Sequence, residues 1–307
     1  PSPSPWSNGL MNDALAMMDT LERIGGIDTP VKPVMGMEDP FYYRNKTIYP
    51  VLGDKIGIFK EKSHSIIEVD RCLIHDPMGD QVLRVVRDHL KRGLQGYDEK
   101  THRGVLRHVM LRSHDEEYMV VLVTHEDGDL TSLVEDLVSI GISHVIENKN
   151  HRKGNTILSK ENKILHGDAT LKTALGDLTF NLSPQSFFQV NTEQTLKLYD
   201  EVKRMANLTG SEIVYDIYAG MGTIGSYLAR NAKVVYAVEV VEEAVEDGIR
   251  SAKENSLTNL HFLQGDAKEA AKNLKEEVDV VIVDPPRKGL DASLIDTINE
   301  MNPKRIV

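Results

Sequence analysis

Glycines at positions 220, 222 and 225 of the stretch "DIYAGMGTIG" spell G-x-G-x-x-G between an apolar run and a helix-like run. A strand-to-helix turn of that kind lets a nucleotide-type ligand approach the backbone at a helix N-terminus. Standing alone, the spacing equally describes a tight turn that needs left-handed backbone. Its neighbours add chemistry. Asp216 precedes the glycines, Glu239 ends the next apolar run in "YAVEV", and Asp266 follows the third in "LQGDAKE". A carboxylate at the second strand end can take both hydroxyls of a ribose, which suits a nicotinamide dinucleotide or S-adenosylmethionine. Acidic residues on both sides of the loop match a sulfonium and ammonium ligand, whereas a dinucleotide needs the helix N-terminus for its pyrophosphate. Each carboxylate taken singly can also be a helix cap.

A fourth apolar run ends in "VIVDPPRKGLD". Asp284 followed by two prolines sets a carboxylate and a stiff, donor-poor backbone where open α/β sheets bind ligands. Arg287 and Lys288 add positive charge beside it, suited to the phosphates of a polynucleotide. Further upstream, "YYRNK" (with Arg44 and Lys46), "KEKSH", "RGVLRH" (with Arg107) and "NKNHRKGN" mix cations with aromatic or hydrogen-bonding side chains. Such mixtures grip phosphates and stacked bases, although each also describes an ordinary solvated face.

These residues need a frame to hold them. From about residue 183 onward, apolar runs such as "EIVYDIY", "KVVYAVEV", "LHFLQ" and "VDVVIVD" alternate with amphipathic helical stretches. That alternation predicts right-handed βαβ units and a parallel sheet with helices on both faces, a Rossmann-like, doubly wound α/β domain over residues 183–307. Residues 34–182 read differently. A hairpin is expected around Gly53-Asp54, a buried strand in "EYMVVLVTH", and a helix in "LTSLVEDLVSIG" closed by Gly141, which together make an α+β domain. Residues 1–33 begin with a loose Pro/Ser segment and continue as one amphipathic helix that stops at Gly25-Gly26.

Composition excludes several classes. The chain has 307 residues, 40% of them hydrophobic, enough for more than one globular core. No apolar run is long enough to span a bilayer and no secretory signal pattern opens the sequence, so a cytoplasmic protein without membrane contact is expected. A monomer is the expected state. One cysteine, Cys72, cannot form an internal disulfide or, alone, a metal site. A net charge of −11 argues against indiscriminate coating of nucleic acid and leaves room for a local basic groove.

The stretches "SPQSFFQVN", "DIYAGMGTIG", "VEVVEEAVEDGIRSAKENSLTNLHFLQGDA" and "DPPRKGLD" closely resemble the RNA uracil-5 methyltransferases, among them the bacterial enzymes that methylate 23S ribosomal RNA. The likeness extends upstream through "LERIGG", "MEDPFYYRNK", "SHSIIEVDRCLIH" and "RGVLRHVMLR". It implies a central RNA-facing domain followed by a class I methyltransferase domain, with ribosomal or transfer RNA as partner and 5-methyluridine as product. It also implies that Gln189, Tyr218, Glu239 and Asp284 contact S-adenosylmethionine. With the residues read from spacing, the expected cofactor set is Gln189, Asp216, Tyr218, Gly220, Gly222, Glu239, Asp266 and Asp284. The expected RNA set is Arg44, Lys46, Arg107, Arg287 and Lys288.

Two departures from that family bear on chemistry. Uracil C5 is a weak nucleophile, so a thiolate must add to C6 before C5 can take a methyl group. The resemblance places this cysteine after a strand of the "RIVYVSCNP" kind, and the sequence here reads "RIV" and stops, so the nucleophile is expected beyond Val307. Members that carry a [4Fe-4S] cluster place one ligand where Cys72 stands, but the stretch "PSPWSNG" holds no partner cysteines. Cys72 therefore reads as a lone counterpart of a cluster ligand, and no metal is expected. Ala219 stands where many relatives carry a cysteine. A methyltransferase acting on exocyclic amines is the alternative suggested by "DPPR", with Arg287 where an aromatic should stack. A non-catalytic module binding RNA or cofactor is the other.

Overall fold

The computed structural model describes residues 15–274, 276–286 and 289–307, and the chain divides into two compact units, residues 1–40 and 41–307. In the first unit, helix over residues 15–19 tightens into a π-helical turn, Thr20–Ile24, and Gly26 follows with φ 61°. Leu15, Met17, Met18 and Ile24 on this helix are exposed. The amphipathic pattern therefore yields a helix whose apolar side chains face solvent.

The second unit contains two main sheets. Strands β1 (Lys46–Leu52), β2 (Lys55–Ile56), β3 (Ile58–Phe59) and β4 (Ile66–Ile67) lead to helix α1 (Met78–Lys91). They are followed by β5 (Leu106–His114), β6 (Glu117–Thr124), α2 (Thr131–Ser139), β7 (His144–Lys149) and β8 (Asn162–His166). The central sheet runs β2-β1-β5-β6-β7-β8, antiparallel except for the β6–β7 pair. The turn between β1 and β2 falls at Gly53-Asp54, as its sequence predicts. Residues 119–124 of β6 are all buried because both faces of the sheet are covered. Helices α1 and α2 pack Val82, Val86, Leu133 and Leu137 on one face. On the other, Met110, Met119, Val121 and Ile146 meet Leu171.

Leu171 belongs to a hairpin, β9 (Leu171–Leu175) and β10 (Leu178–Leu182), whose remaining apolar residues Leu175, Leu178, Phe180 and Leu182 join the core of the second sheet. One hairpin thus packs on both sheets. Helix α3 (Thr192–Ala206) comes next, capped by Asn191, whose side chain accepts from Gln194 N at 3.0 Å. Five strands and four helices then alternate. They are β11 (Ile213–Ile217), α4 (Thr223–Ala229), β12 (Val234–Glu239), α5 (Glu242–Glu254), β13 (Leu260–Gln264), α6 (Ala267–Asn273), β14 (Val280–Val283), α7 (Ala292–Met301) and β15 (Arg305–Ile306). Every pairing in the sheet β13-β12-β11-β14-β15 is parallel. Helices α3, α4 and α5 bury one face and α6 and α7 the other, which is the doubly wound arrangement the alternation predicts. Strand order reverses at β11, so a crevice opens where the strands end.

A loop, residues 183–189, joins the hairpin to α3 and is held from both sheets. Arg112 of β5, 1% exposed, donates Nη2 to the carbonyls of Ser186 and Pro184. From α5, the buried Asp247 carboxylate accepts Ser186 Oγ at 2.6 Å and Ser183 Oγ at 3.2 Å and pairs with Arg250. Burial lowers the Arg112 pKa to about 10, and the charge of Asp247 opposes that fall. Asn45, just before β1, adds its Nδ2 donation to the Gln189 carbonyl at 2.9 Å.

Removing one member of a buried charged network costs more than the network contributes net, because the other members stay buried without partners. Asp247→Ala removes the carboxylate that two serine hydroxyls donate to and the negative charge that opposes the buried Arg112 guanidinium. We expect it to lower unfolding free energy by about 3 kcal/mol, read as a fall in the urea midpoint, while Arg250→Ala, which removes only an exposed partner, costs less than about 1 kcal/mol.

Candidate functional site

The turn after β11 is strained. Tyr218, Gly220 and Gly222 adopt φ of 62°, 57° and 72°, the left-handed region that bulky side chains rarely occupy. Holding a tyrosine there costs on the order of 1–3 kcal/mol, and such conformations concentrate at binding sites. The turn is kept in place by Ala219 N donating to Val238 O at 3.0 Å and Gly220 N donating to Glu239 Oε2 at 2.9 Å. The other oxygen of Glu239 accepts Val240 N and Val241 N, each at 2.9 Å. Glu239 therefore ties the glycine turn to the end of β12, and its carboxylate keeps one of about four lone-pair sites for a ligand hydroxyl.

Tyr218, Glu239 and Asp266 line one small crevice with Val240, Gly265, Lys268 and Asp291. A side chain at Gly220 or Gly265 would extend into open space. Asp266 caps α6 by accepting Lys268 N at 2.9 Å, so it serves as a cap and lines the crevice together. Asp284 is exposed directly after β14 and lies within electrostatic reach of Asp216. Gln189 is half-buried on the seam loop and does not line the crevice. Phe187, two residues before it, is 66% exposed. That aromatic was not singled out from the sequence; an apolar ring beside a polar motif is the signal that marks it.

Several expectations need correction. Asp216 is 1% exposed and accepts Gly225 N at 2.9 Å, so it fastens the start of α4 from behind the turn and is not a surface ligand. Gly222 is a packing glycine, because a Cβ there would stand 2.5 Å from the ring of Phe262, and a Cβ at Gly248 of α5 would strike the same ring. Lys46 is half-buried opposite Arg112 in the β1–β5 register, and burial, then Arg112, lowers its pKa to about 8. Arg107 is 7% exposed and spends its guanidinium on the carbonyls of Arg152 and Gly154. Arg107 is thus committed to the protein's own backbone, whereas Lys46 keeps only partial exposure. Arg44 is half-buried, its backbone bridged to His75 and to Asn191. Arg287 and Lys288 lie outside the described residues.

Cys72 is half-buried before α1, its backbone N donating to Asp80 Oδ1 at 3.1 Å. It is not among the residues that line the crevice. Among the described residues, no group of three or more His, Cys, Asp or Glu side chains is placed to hold a metal ion, and no helix is long and apolar enough to cross a membrane.

Desolvation, opposed by the Gly225 hydrogen bond and reinforced by the charge of Asp284, raises the Asp216 pKa to about 7. An unfolded aspartate titrates near ~3.9, so between the two values the folded state holds the extra proton. Stability from this group is complete below the lower value and is lost as pH rises through the upper one. Asp216→Asn abolishes that titration. Its stability relative to the parent should rise progressively from about pH 4 to about pH 7, and denaturation midpoints across that range measure it.

Comparison with known proteins agrees with this geometry. A family model described as tRNA (uracil-5-)-methyltransferase matches residues 142–307. An "uncharacterized RNA methyltransferase" of Halalkalibacterium halodurans is 42% identical over 309 aligned residues, covering 95% of this chain and 67% of the relative. One from Clostridium acetobutylicum is 40% identical with the same coverage. The chain spans about two thirds of the length of the curated relatives it matches. Among solved structures, the Pyrococcus abyssi tRNA (uracil-54, C5)-methyltransferase in complex with S-adenosyl-L-homocysteine superposes with a TM-score of 0.79. It is 26% identical, and the match covers 97% of this chain and 72% of that one. A matching family model over more than half of the sequence and a doubly wound sheet ending in an acidic crevice lead to one conclusion: the chain belongs to the tRNA (uracil-5-)-methyltransferase family of S-adenosylmethionine-dependent RNA methyltransferases.

Proposed function

We propose that this chain carries the cofactor-binding and RNA-facing parts of an enzyme that forms 5-methyluridine in RNA. The observation that carries the reading is the crevice in which Tyr218, Glu239 and Asp266 converge beside a strained glycine turn. S-adenosylmethionine fits its donor set, because carboxylates suit ribose hydroxyls and a cationic ligand, and the open cradle at Gly220 and Gly265 admits close approach. When bound, that cofactor supplies an electrophilic methyl group. Glu239 would orient it through its free lone pair, Tyr218 and Val240 would flank its base, and Asp284 would face the reacting end from the adjacent strand.

The pyrimidine must be activated separately. A thiolate adds to C6, the resulting enolate makes C5 nucleophilic, a base takes the C5 proton after methylation, and the C6–S bond breaks to release the thiol. Cys72 is not placed for this step. Val307 N donates to Val281 O and Val307 O accepts Val283 N, so residues continuing this strand would emerge beside Asp284. We assign the nucleophile to such a continuation in the full-length protein. The domain covering residues 34–182 is proposed to face RNA and that covering 183–307 to hold the methyl donor.

The resemblance of the sequence motifs favours ribosomal RNA, while the family model and the Pyrococcus neighbour are named for transfer RNA. Full-length protein incubated with each RNA class and labelled methyl donor should yield 5-methyluridine on digestion and mass spectrometry. A methylated adenine or cytosine instead would establish the exocyclic-amine alternative, and donor binding without any product the binding-module alternative. In the chain itself, Glu239→Ala frees three backbone N–H groups and removes the ribose acceptor. Titration calorimetry with S-adenosylhomocysteine should show at least about tenfold weaker binding, and unchanged affinity would refute the assigned crevice.

A further inference from the structure

Arg107 and Asn150 are buried side chains whose hydrogen bonds are directed at one surface loop. Arg107 donates Nη1 to Arg152 O at 2.8 Å and Nη2 to Gly154 O at 2.5 Å. Asn150, 0% exposed, donates Nδ2 to Thr156 O and Ile157 O at 2.7 and 2.8 Å and accepts Arg152 N at 3.1 Å. Five hydrogen bonds from two buried residues thus order the backbone of residues 150–157. None of them uses the side chains of His151, Arg152 or Lys153, which are exposed. Among the described residues, no carboxylate lies within ion-pair distance of Arg152 or Lys153, in a chain whose net charge is −11.

Aromatic rings adjoin these cations. His151 donates Nδ1–H to the His125 carbonyl at 2.5 Å, which sets the two imidazoles 6.1 Å apart, and His125 lies 4.9 Å from the ring of Tyr97. On its other side the loop borders the seam, where Arg152 lines a cavity of about 250 Å³ together with Gln185, Ser186, Glu243 and Asp247, the two carboxylates being paired with Lys160 and Arg250. The loop therefore stands next to the segment that presents Phe187 and Gln189.

We propose that the 150–157 loop is a preformed grip for single-stranded RNA next to the target uridine. Arg152 and Lys153 take backbone phosphates, and His151, backed by His125, offers a ring face to an unstacked base. Rigid backbone with free cations and an exposed ring is what such recognition requires, since phosphates supply affinity and stacking selects unpaired nucleotides. The proposal rests on the RNA methyltransferase reading and adds to it the place where substrate is held.

The test is fluorescence anisotropy of the whole chain with a labelled single-stranded oligoribonucleotide of about twelve nucleotides, over a range of salt. R152A/K153A should weaken binding at least about tenfold and reduce the salt slope by about 1.4, two phosphates' worth. Removing two exposed cations away from the loop, Lys233 in the turn before β12 and Lys253 on α5 (K233A/K253A), should change neither. His151→Ala should weaken binding about fivefold and His151→Phe should not, which separates the ring from the hydrogen bond that both variants lose. Thermal melting that matches the parent shows the variants folded. RNA affinity unchanged in R152A/K153A, or changed equally in K233A/K253A, would overturn the proposal, as would absence of RNA binding by the parent chain. S-adenosylhomocysteine titrations run alongside judge the cofactor crevice independently, so failure of the loop and failure of the crevice give different results.

Discussion

The buried carboxylate of Asp247 is the contact on which the arrangement of this molecule turns. It holds two hydroxyls of the loop at 183–189 from one sheet, while Arg112 holds two carbonyls of the same loop from the other. Both are buried, so Arg112 takes its hydrogen bonds from the loop between them, and Asp247 from that loop and from Arg250. The consequence is geometric. A segment that would otherwise be a free connection is fixed relative to both sheets, and Phe187 and Gln189 leave it at a set distance from the crevice at the end of β11. The hairpin β9–β10 reinforces this by contributing apolar residues to both cores.

Negative charge is distributed by function within the methyltransferase sheet. Asp216 is sealed off and leans towards its neutral form, so it can serve as a hydrogen-bonding strut without the cost of a buried anion. Glu239 remains at the surface of the crevice but spends most of its acceptor capacity on backbone. Asp284 stays open to solvent. Three acids at the ends of adjacent strands thus do three different jobs. Glu239 and Asp284 leave negative charge that favours a cationic ligand near the sheet, while Arg152 and Lys153 stand exposed elsewhere, on the loop following β7.

Most of the frame was legible in the sequence. Strand and helix alternation after residue 183, the Gly53-Asp54 hairpin, the helix ending before Gly141 and the position of the glycine turn all follow from local periodicity and turn chemistry, which act over a few residues. The site was only partly legible. Tyr218, Glu239 and Asp266 do share a crevice, but spacing cannot say whether a carboxylate at a strand end points outward, as Asp284 does, or inward, as Asp216 does. Arg107 and Lys46 were picked out because cations stand beside aromatic and hydrogen-bonding residues, a local mixture that carries no information on burial; here Arg107 is covered by a loop that lies far away in sequence and Lys46 is half-buried. The helix at residues 15–24 shows the reverse, an apolar pattern without burial.

The ring of Phe262 touches the places where Gly222 and Gly248 lack side chains, one in the cofactor turn and one in α5. Three positions distant in sequence consequently share a single volume. None can drift alone: a methyl gained at either glycine must be matched by atoms lost at the ring, and a smaller ring would release two backbones at once. The turn after β11, the middle of α5 and strand β13 are thereby locked to one another through a single side chain.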